Sequence, residues 1–225
     1  MEQSMYDKLL SLPLFQGLGQ ADLTRILEST HLTFETAEPE TLLVEQDSLC
    51  DGIVFVMDGI VESTTQSADH TWSVVEQLPT PLAIGLESLY GSTRVYQQTC
   101  RAATTVHTLR VDKRTIAALT GYFEVFRINV LNTLSTLVAR QRQQQWTPAP
   151  TSLKGRIVQF LRTRLQRPAG PKSFQVTLRT LGNYLGEDPR YVSRALHTLQ
   201  QQGLLHLGRG TITVPSFENL LKETL

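Results

Sequence analysis

Arg190, Arg194 and His197 recur along one side of a predicted helix, with Ser193 between them, and Val192, Leu196 and Leu199 form its opposite, apolar stripe. A guanidinium near a helix N-terminus can bind a guanine edge or a phosphate, so the chemistry of this face is recognition of a polyanion. The preceding segment prepares that helix. Leu178, Leu181 and Leu185 repeat at helical spacing from Thr177, with Arg179 in the first turn. Gly186 can take the turn conformation that stops a helix. Asp188 can cap the next one, and Pro189 suits its first position because no amide is needed there. Gly203 ends the second helix. Two short apolar runs, Leu204 to Leu207 and Thr211 to Val214, then flank Gly208-Arg209-Gly210, a hairpin signal. Two helices and a small hairpin make a winged helix with Arg209 at the wing tip. The expected DNA-binding set is Thr177, Arg179, Arg190, Tyr191, Ser193, Arg194, His197 and Arg209. No nucleophile–base pair, P-loop or metal-ligand spacing accompanies them, so the pattern is that of a binding protein and not of an enzyme.

Charge is divided to match. The 225 residues carry 21 Lys/Arg and 21 Asp/Glu, a net charge of zero. Residues 149–225 hold 11 basic and 4 acidic side chains, residues 119–148 hold 3 and 1, and residues 1–118 hold 7 and 16. The basic end attracts a polyanion, and the acidic front is repelled by one. The N-terminus, MEQSMYDK, has no positive region followed by an apolar core, so a cytoplasmic protein without a signal peptide is expected. No apolar run approaches the roughly 18 residues of a membrane span. Cys50 and Cys100 do not make a disulfide framework and read as small core residues.

The elements that must position this face fall into three segments. Residues 1–118 begin with a helical piece from Met5 to Leu12 and a second stripe at Leu23, Ile26 and Leu27. From about Thr33 to Val111 short Val-, Ile-, Thr- and aromatic-rich strands alternate with turns, one marked as a hairpin by Asp58-Gly59. These predict a compact β-barrel or roll. Residues 119–148 return to helical texture. Asp112 caps a helix expected to run through Leu119, and Gly121 separates it from a longer one. In the longer helix Phe123, Phe126, Val130, Leu134, Leu137 and Val138 form a near-heptad seam, the pattern of a dimer interface. The helix dissolves into RQRQQQWTPAPTS, a hinge. Residues 149–225 open with a helix from Leu153 to Leu165, capped by Ser152 or Thr151, with Ile157, Phe160 and Leu161 turned to the core, and continue through FQV to the winged helix.

In this order the segments resemble the Crp/Fnr family of bacterial transcription regulators. The resemblance covers nearly the whole chain: Leu14-Phe15-Gln16-Gly17-Leu18 at the front, the glycine turn at Gly59, the long helix, Gly155-Arg156-Ile157, and Val176 to Leu205 with Val192 to Leu196 at the recognition helix. It implies an α+β fold with an N-terminal cyclic-nucleotide-binding-like β-roll (jelly-roll-like) sensor domain, a long dimerisation helix and a C-terminal winged helix-turn-helix domain. It also implies a homodimer on palindromic promoter sites in double-stranded DNA, acting on RNA polymerase, with no membrane partner. Arg190 and Arg194 fall where family members touch bases, Asp188 and Thr177 where they touch phosphate or the helix start. Pro189-Arg190 replaces the Arg-Glu pair of many relatives, so a different half-site is expected.

Cyclic-nucleotide-binding relatives place a GEL motif on the ribose and an Arg-Ser pair on the phosphate. Here the stretch reads Gly85-Leu86-Glu87 and Ser92-Thr93-Arg94-Val95-Tyr96. Glu87 comes one position late, which by strand alternation turns it to the other face, and no small hydroxyl residue follows Arg94. Gly85, Glu87, Ser92 and Arg94 thus mark a possible effector pocket in which cAMP is not expected. An iron–sulfur cluster needs about four thiolates, and haem would have to use His31, His70, His107 or Cys50. No cofactor follows from the sequence, and an unknown small-molecule effector stays open. The alternative is an effector-independent DNA-binding protein whose β-roll is a scaffold or a protein-interaction module.

Overall fold

The computed structural model describes residues 5–30 and 32–224; the first four residues and His31, one of the haem candidates, lie outside them. The described chain forms two compact units, and their division departs from the expected 1–118, 119–148 and 149–225. One unit runs through Glu62 and resumes at Leu78–Gln143; the other joins Ser63–Gln77 to the chain from Gln144 onward.

In the first unit, α1 (Met5–Ser11) and α2 (Gln20–Ser29) precede β1 (Thr33–Ala37), β2 (Leu42–Val44) and β3 (Gly52–Asp58). Then come β4 (Ile60–Gln66), β5 (Trp72–Pro79), β6 (Leu82–Ile84), β7 (Thr99–Ala102) and β8 (Val106–Asp112). An antiparallel sheet of order β1-β8-β3-β6 and the β2–β7 pair supply the roll. On β3 and β8, Ile53 and Phe55 share one buried face with Val111 and Leu109 directly opposite them, and Val54 and Val56 are buried on the other face of β3. Asp58-Gly59 is a corner and not the hairpin expected of it, because β3 pairs with β6 and β8 and not with β4. The Asp58 carboxylate instead receives the His107 amide at 3.1 Å and the His107 ring at 2.7 Å.

Asp112 caps α3 (Lys113–Tyr122), accepting from the Arg114 and Thr115 amides at 2.8 and 3.0 Å. The helix runs through Gly121, past the expected stop at Leu119. These hydrogen bonds, chiefly those from Thr115, hold the Asp112 carboxyl below the usual carboxylate range. A group lowered in this way contributes stability above its unfolded pKa and loses it as pH falls through the folded one. Loss of this N-cap in Asp112→Ala is expected to cost about 1 kcal/mol near neutrality, a difference that narrows as pH falls through the lowered folded-state pKa of Asp112 when urea denaturation of the two proteins is compared.

The long helix α4 (Glu124–Trp146) is anchored by the LFQGL segment. Phe15 is fully buried and meets Phe55 and Phe126 edge-on at 5.4 and 5.2 Å. Asn129 donates to the Leu14 and Gln16 carbonyls at 3.1 and 2.8 Å. Much of the stripe expected to form a dimer seam is occupied within the chain itself. Phe126 and Val130 are buried, and Phe123 and Leu134 pack partly against the same core, so this stripe serves the chain's own β-roll. Leu137 continues that same stripe, seven residues after Val130, but is itself exposed, and Val125, Ile128, Leu131 and Val138 are exposed on the rest of the helix.

The second unit contains α5 (Leu153–Arg162), β9 (Lys172–Val176), α6 (Leu178–Leu185), α7 (Pro189–Gln201), β10 (His206–Gly208), β11 (Thr211–Val214) and α8 (Phe217–Thr224). Ser152 caps α5 by accepting from the Gly155 amide. In its sheet β10, β11, β9 and β5 lie side by side in that order, so β5 of the Ser63–Gln77 hairpin is the strand next to β9. Ile157, Leu161, Phe174, Leu181, Val192, Leu196, Ile212, Phe217 and Val74 share one buried cluster. Among the described residues no helix is long and apolar enough to cross a membrane.

Candidate nucleic-acid interface

Three local devices aim the exposed side of this unit. Thr177 caps α6, its hydroxyl accepting from the Thr180 amide at 3.1 Å. Gly186 closes α6 in the left-handed region at φ 65°, a conformation open to glycine at little steric cost. Asp188 caps α7 through the Arg190 amide at 2.8 Å, with Pro189 in the first turn. Arg156 of α5 braces the turn between the helices, donating to the Leu185 carbonyl at 3.3 Å and pairing with Glu187.

With its apolar stripe buried, α7 presents Arg190, Tyr191, Arg194 and His197 to solvent, with Ser193 half-buried beside them. Between this face, the start of α6 and the β10–β11 turn lies a groove of about 760 Å³. Thr177, Arg179, Ser193, His197 and Arg209 line it over an apolar floor that includes Leu181 and Leu196. Seven of the eight expected residues are thus exposed on one unit, and five of the eight line one groove. Side chains able to meet phosphate and base edges surround a concavity with no carboxylate in its lining.

Two of the arginines differ in readiness. Arg190 is forked onto Asp188, with Nε at 3.2 Å and Nη2 at 3.0 Å from the carboxylate oxygens. This pairing holds the Asp188 carboxyl below its usual range and raises Arg190 further. An ion pair with an 87% exposed guanidinium is weakly held in water, so a phosphate or a base can open it. Arg194 lies 6.0 Å from the Tyr191 ring centre, which steadies the guanidinium without occupying its donors. The His197 ring is turned back on its own helix, with Nδ1 2.8 Å from the Ser193 carbonyl, which leaves Nε2 outward.

The four candidate pocket residues do not form a comparable set. Gly85 is buried, and a Cβ there would lie 2.7 Å from the Tyr96 ring and 3.1 Å from the Cys50 sulfur. Burial pushes the Tyr96 phenol up to about 12, and its hydroxyl donates to the Gly52 carbonyl at 3.3 Å. Glu87, Ser92 and Arg94 are exposed. The Arg94 carbonyl accepts from the Cys50 amide at 3.0 Å, and Leu49 bridges to Val95.

A strand roll followed by a winged helix-turn-helix defines a class of DNA-binding regulators. Residues 155–223 match the Crp-like helix-turn-helix domain family. No curated protein gave a sequence match. Among solved structures, the Thermus thermophilus catabolite activator protein is 19% identical, with 93% of this chain and 97% of that one covered at a TM-score of 0.50. A transcriptional regulator of the Crp/Fnr family from Eubacterium rectale is 19% identical, with 94% and 97% covered at 0.52. The sensor domain of the transcriptional regulator DNR from Pseudomonas aeruginosa is 16% identical, covering 65% of this chain and 94% of its own at 0.50. The C-terminal domain is a Crp-like helix-turn-helix domain, and the chain carries it in the fold of the Crp/Fnr regulators.

Proposed function

We propose that the chain is a sequence-specific transcription regulator of the Crp/Fnr type that binds palindromic promoter sites as a homodimer. Helix α7 enters the major groove, and Arg194 and Arg190 read base edges. Thr177, Arg179 and Arg209 hold phosphates on either side. The carrying observation is the groove itself, where Thr177, Arg179, His197 and Arg209 converge although they come from three separate elements. RNA polymerase in the cytoplasm is the partner that this role implies.

The β-roll belongs to the same reading in a reduced form. Tyr96 occupies the space beside Gly85, and Arg94 is held by its backbone while its side chain stays in solvent. Both features favour a pocket that does not bind cAMP. They also favour the second reading, a protein competent for DNA without any effector.

The test is a selection from randomised duplex DNA with purified full-length protein and no added ligand. A two-fold symmetric site is expected, and recovery of no specific sequence by folded dimer would count against the assignment. Affinity for the selected site should fall steeply with salt. For about six phosphate contacts per dimer the log–log slope is roughly −5, and a flat response would remove the phosphate-binding role of the groove.

A further inference from the structure

The unit that carries the DNA-reading face is not built from the C-terminal half alone. Strand β5 pairs with β9 in continuous antiparallel register from Trp72 opposite Val176 to Glu76 opposite Lys172. Both ends of that register are fastened. At one end Glu76 and Lys172 are buried side chains, 1% and 0% exposed, with Oε1 3.7 Å from Nζ. The Glu76 carboxylate also accepts from the Gln166 and Arg167 amides at 3.1 and 3.3 Å, and Lys172 donates to the Ala169 carbonyl at 2.6 Å. Ser63, buried on the same hairpin, meets the Gln166 side chain at 3.2 Å. A buried charge left without its partner is strongly unfavourable, so this pair fixes the register.

At the other end, the Trp72 indole donates to the Tyr184 hydroxyl at 3.3 Å, and the Arg164 guanidinium lies 3.5 Å from the Phe160 ring centre. The Trp72 and Tyr184 rings flank the same guanidinium at 5.2 and 5.3 Å. Tyr184 belongs to α6, whose N-terminus lines the groove. Between the two ends Val74 is fully buried in the common core.

We infer that the Ser63–Gln77 hairpin is a positioning element of the DNA reader, and that α6 and α7 are held in reading geometry only while β5 is paired with β9. The inference rests on the proposed DNA-binding role. Undocking would open the β9 edge, strip Trp72 and Val74 from the core and part Lys172 from Glu76.

Two full-length variants test this. Ser73 and Gln175 are directly opposed on β5 and β9, and such Cα pairs fall within disulfide reach. Cys50 and Cys100 are buried and do not compete. Oxidised S73C/Q175C, with the hairpin locked, is expected to bind the selected site as tightly as its reduced form. E76Q keeps the volume and an acceptor oxygen but removes the counter-charge. It should exchange its β9 amides faster and lose site affinity about tenfold, as expected when a tenth of the protein is competent. Its affinity for random duplex should stay within about twofold, and the oxidised disulfide placed in E76Q should restore the site. Loss of the site on locking would overturn the inference. So would full site affinity in E76Q with β9 exchange accelerated. Wild-type protein that selects no site defeats the DNA-binding role itself and this inference with it; wild-type protein that selects one, followed by either contrary result, defeats the hairpin's role alone.

Discussion

Leu131→Glu is expected to give a folded monomer by light scattering that no longer binds a two-fold symmetric site. The outward face of α4 carries Ile128, Leu131, Ser135 and Val138 at alternating spacings of three and four, the period of a two-stranded coil. Ile128, Leu131 and Val138 are 45%, 52% and 63% exposed, with Val125 close behind. Burying each of these four in a second copy contributes on the order of 1 kcal/mol, so four from each helix give about 8 kcal/mol. Association itself costs roughly 4–15 kcal/mol. The proposed interface would therefore have little surplus, and two glutamates facing each other across a two-fold axis would remove it. The contrast is with Val130→Glu one position away. Val130 is 6% exposed within the β-roll core, so a charge there should unfold the first unit. A Leu131→Glu protein that remains dimeric would place the interface elsewhere, and one that melts with the Val130 variant would show that this face is already covered.

The two stripes of α4 show what the sequence could and could not say. Apolar residues surround most of the helix, so periodicity alone marks Phe123, Phe126 and Val130 as readily as Ile128 and Leu131. Only the position of Phe15 and the Asn129 bonds to Leu14 and Gln16 decide which stripe faces the roll. Signals that act within a few residues were legible: Asp112, Ser152, Thr177 and Asp188 all cap where their side chains can reach an amide of the first turn. Helix α8 carried such a signal too, since Ser216 accepts from the Asn219 amide and Phe217 and Leu220 are buried at helical spacing. The β5–β9 pairing had none. Trp72 and Val176 are opposed across a long stretch of chain, and strand pairing at that separation leaves no periodicity in either segment. Glu76 and Lys172, ordinary charged residues in their own neighbourhoods, acquire meaning only from each other. The same holds for Arg156 and Arg164, two of the 11 basic residues counted in the C-terminal segment. One pairs with Glu187, and the other lies among three aromatic rings.

That redistribution sharpens the last expectation. Not every basic residue of the C-terminal segment is available to DNA, and Arg194 is the arginine of α7 with its donors outward and its guanidinium beside an aromatic ring. If it pairs bidentately with a guanine, Arg194→Ala removes about 1–3 kcal/mol of discrimination in each half-site. A homodimer would lose this twice, and the combined effect on the specific site is roughly thirtyfold or more, while affinity for random duplex changes much less. Arg190→Ala should cost less than Arg194→Ala, because the wild-type side chain must first leave Asp188. Arg209→Ala at the wing tip should weaken all duplexes alike and lower the salt slope by about one per subunit. Binding of each variant to the selected site and to its single-base changes separates these cases. A helix that reads bases gives Arg194→Ala a relaxed preference at one symmetric pair of positions. A uniform loss over all sequences would make Arg194 another phosphate contact and move base reading to Tyr191, Ser193 or His197.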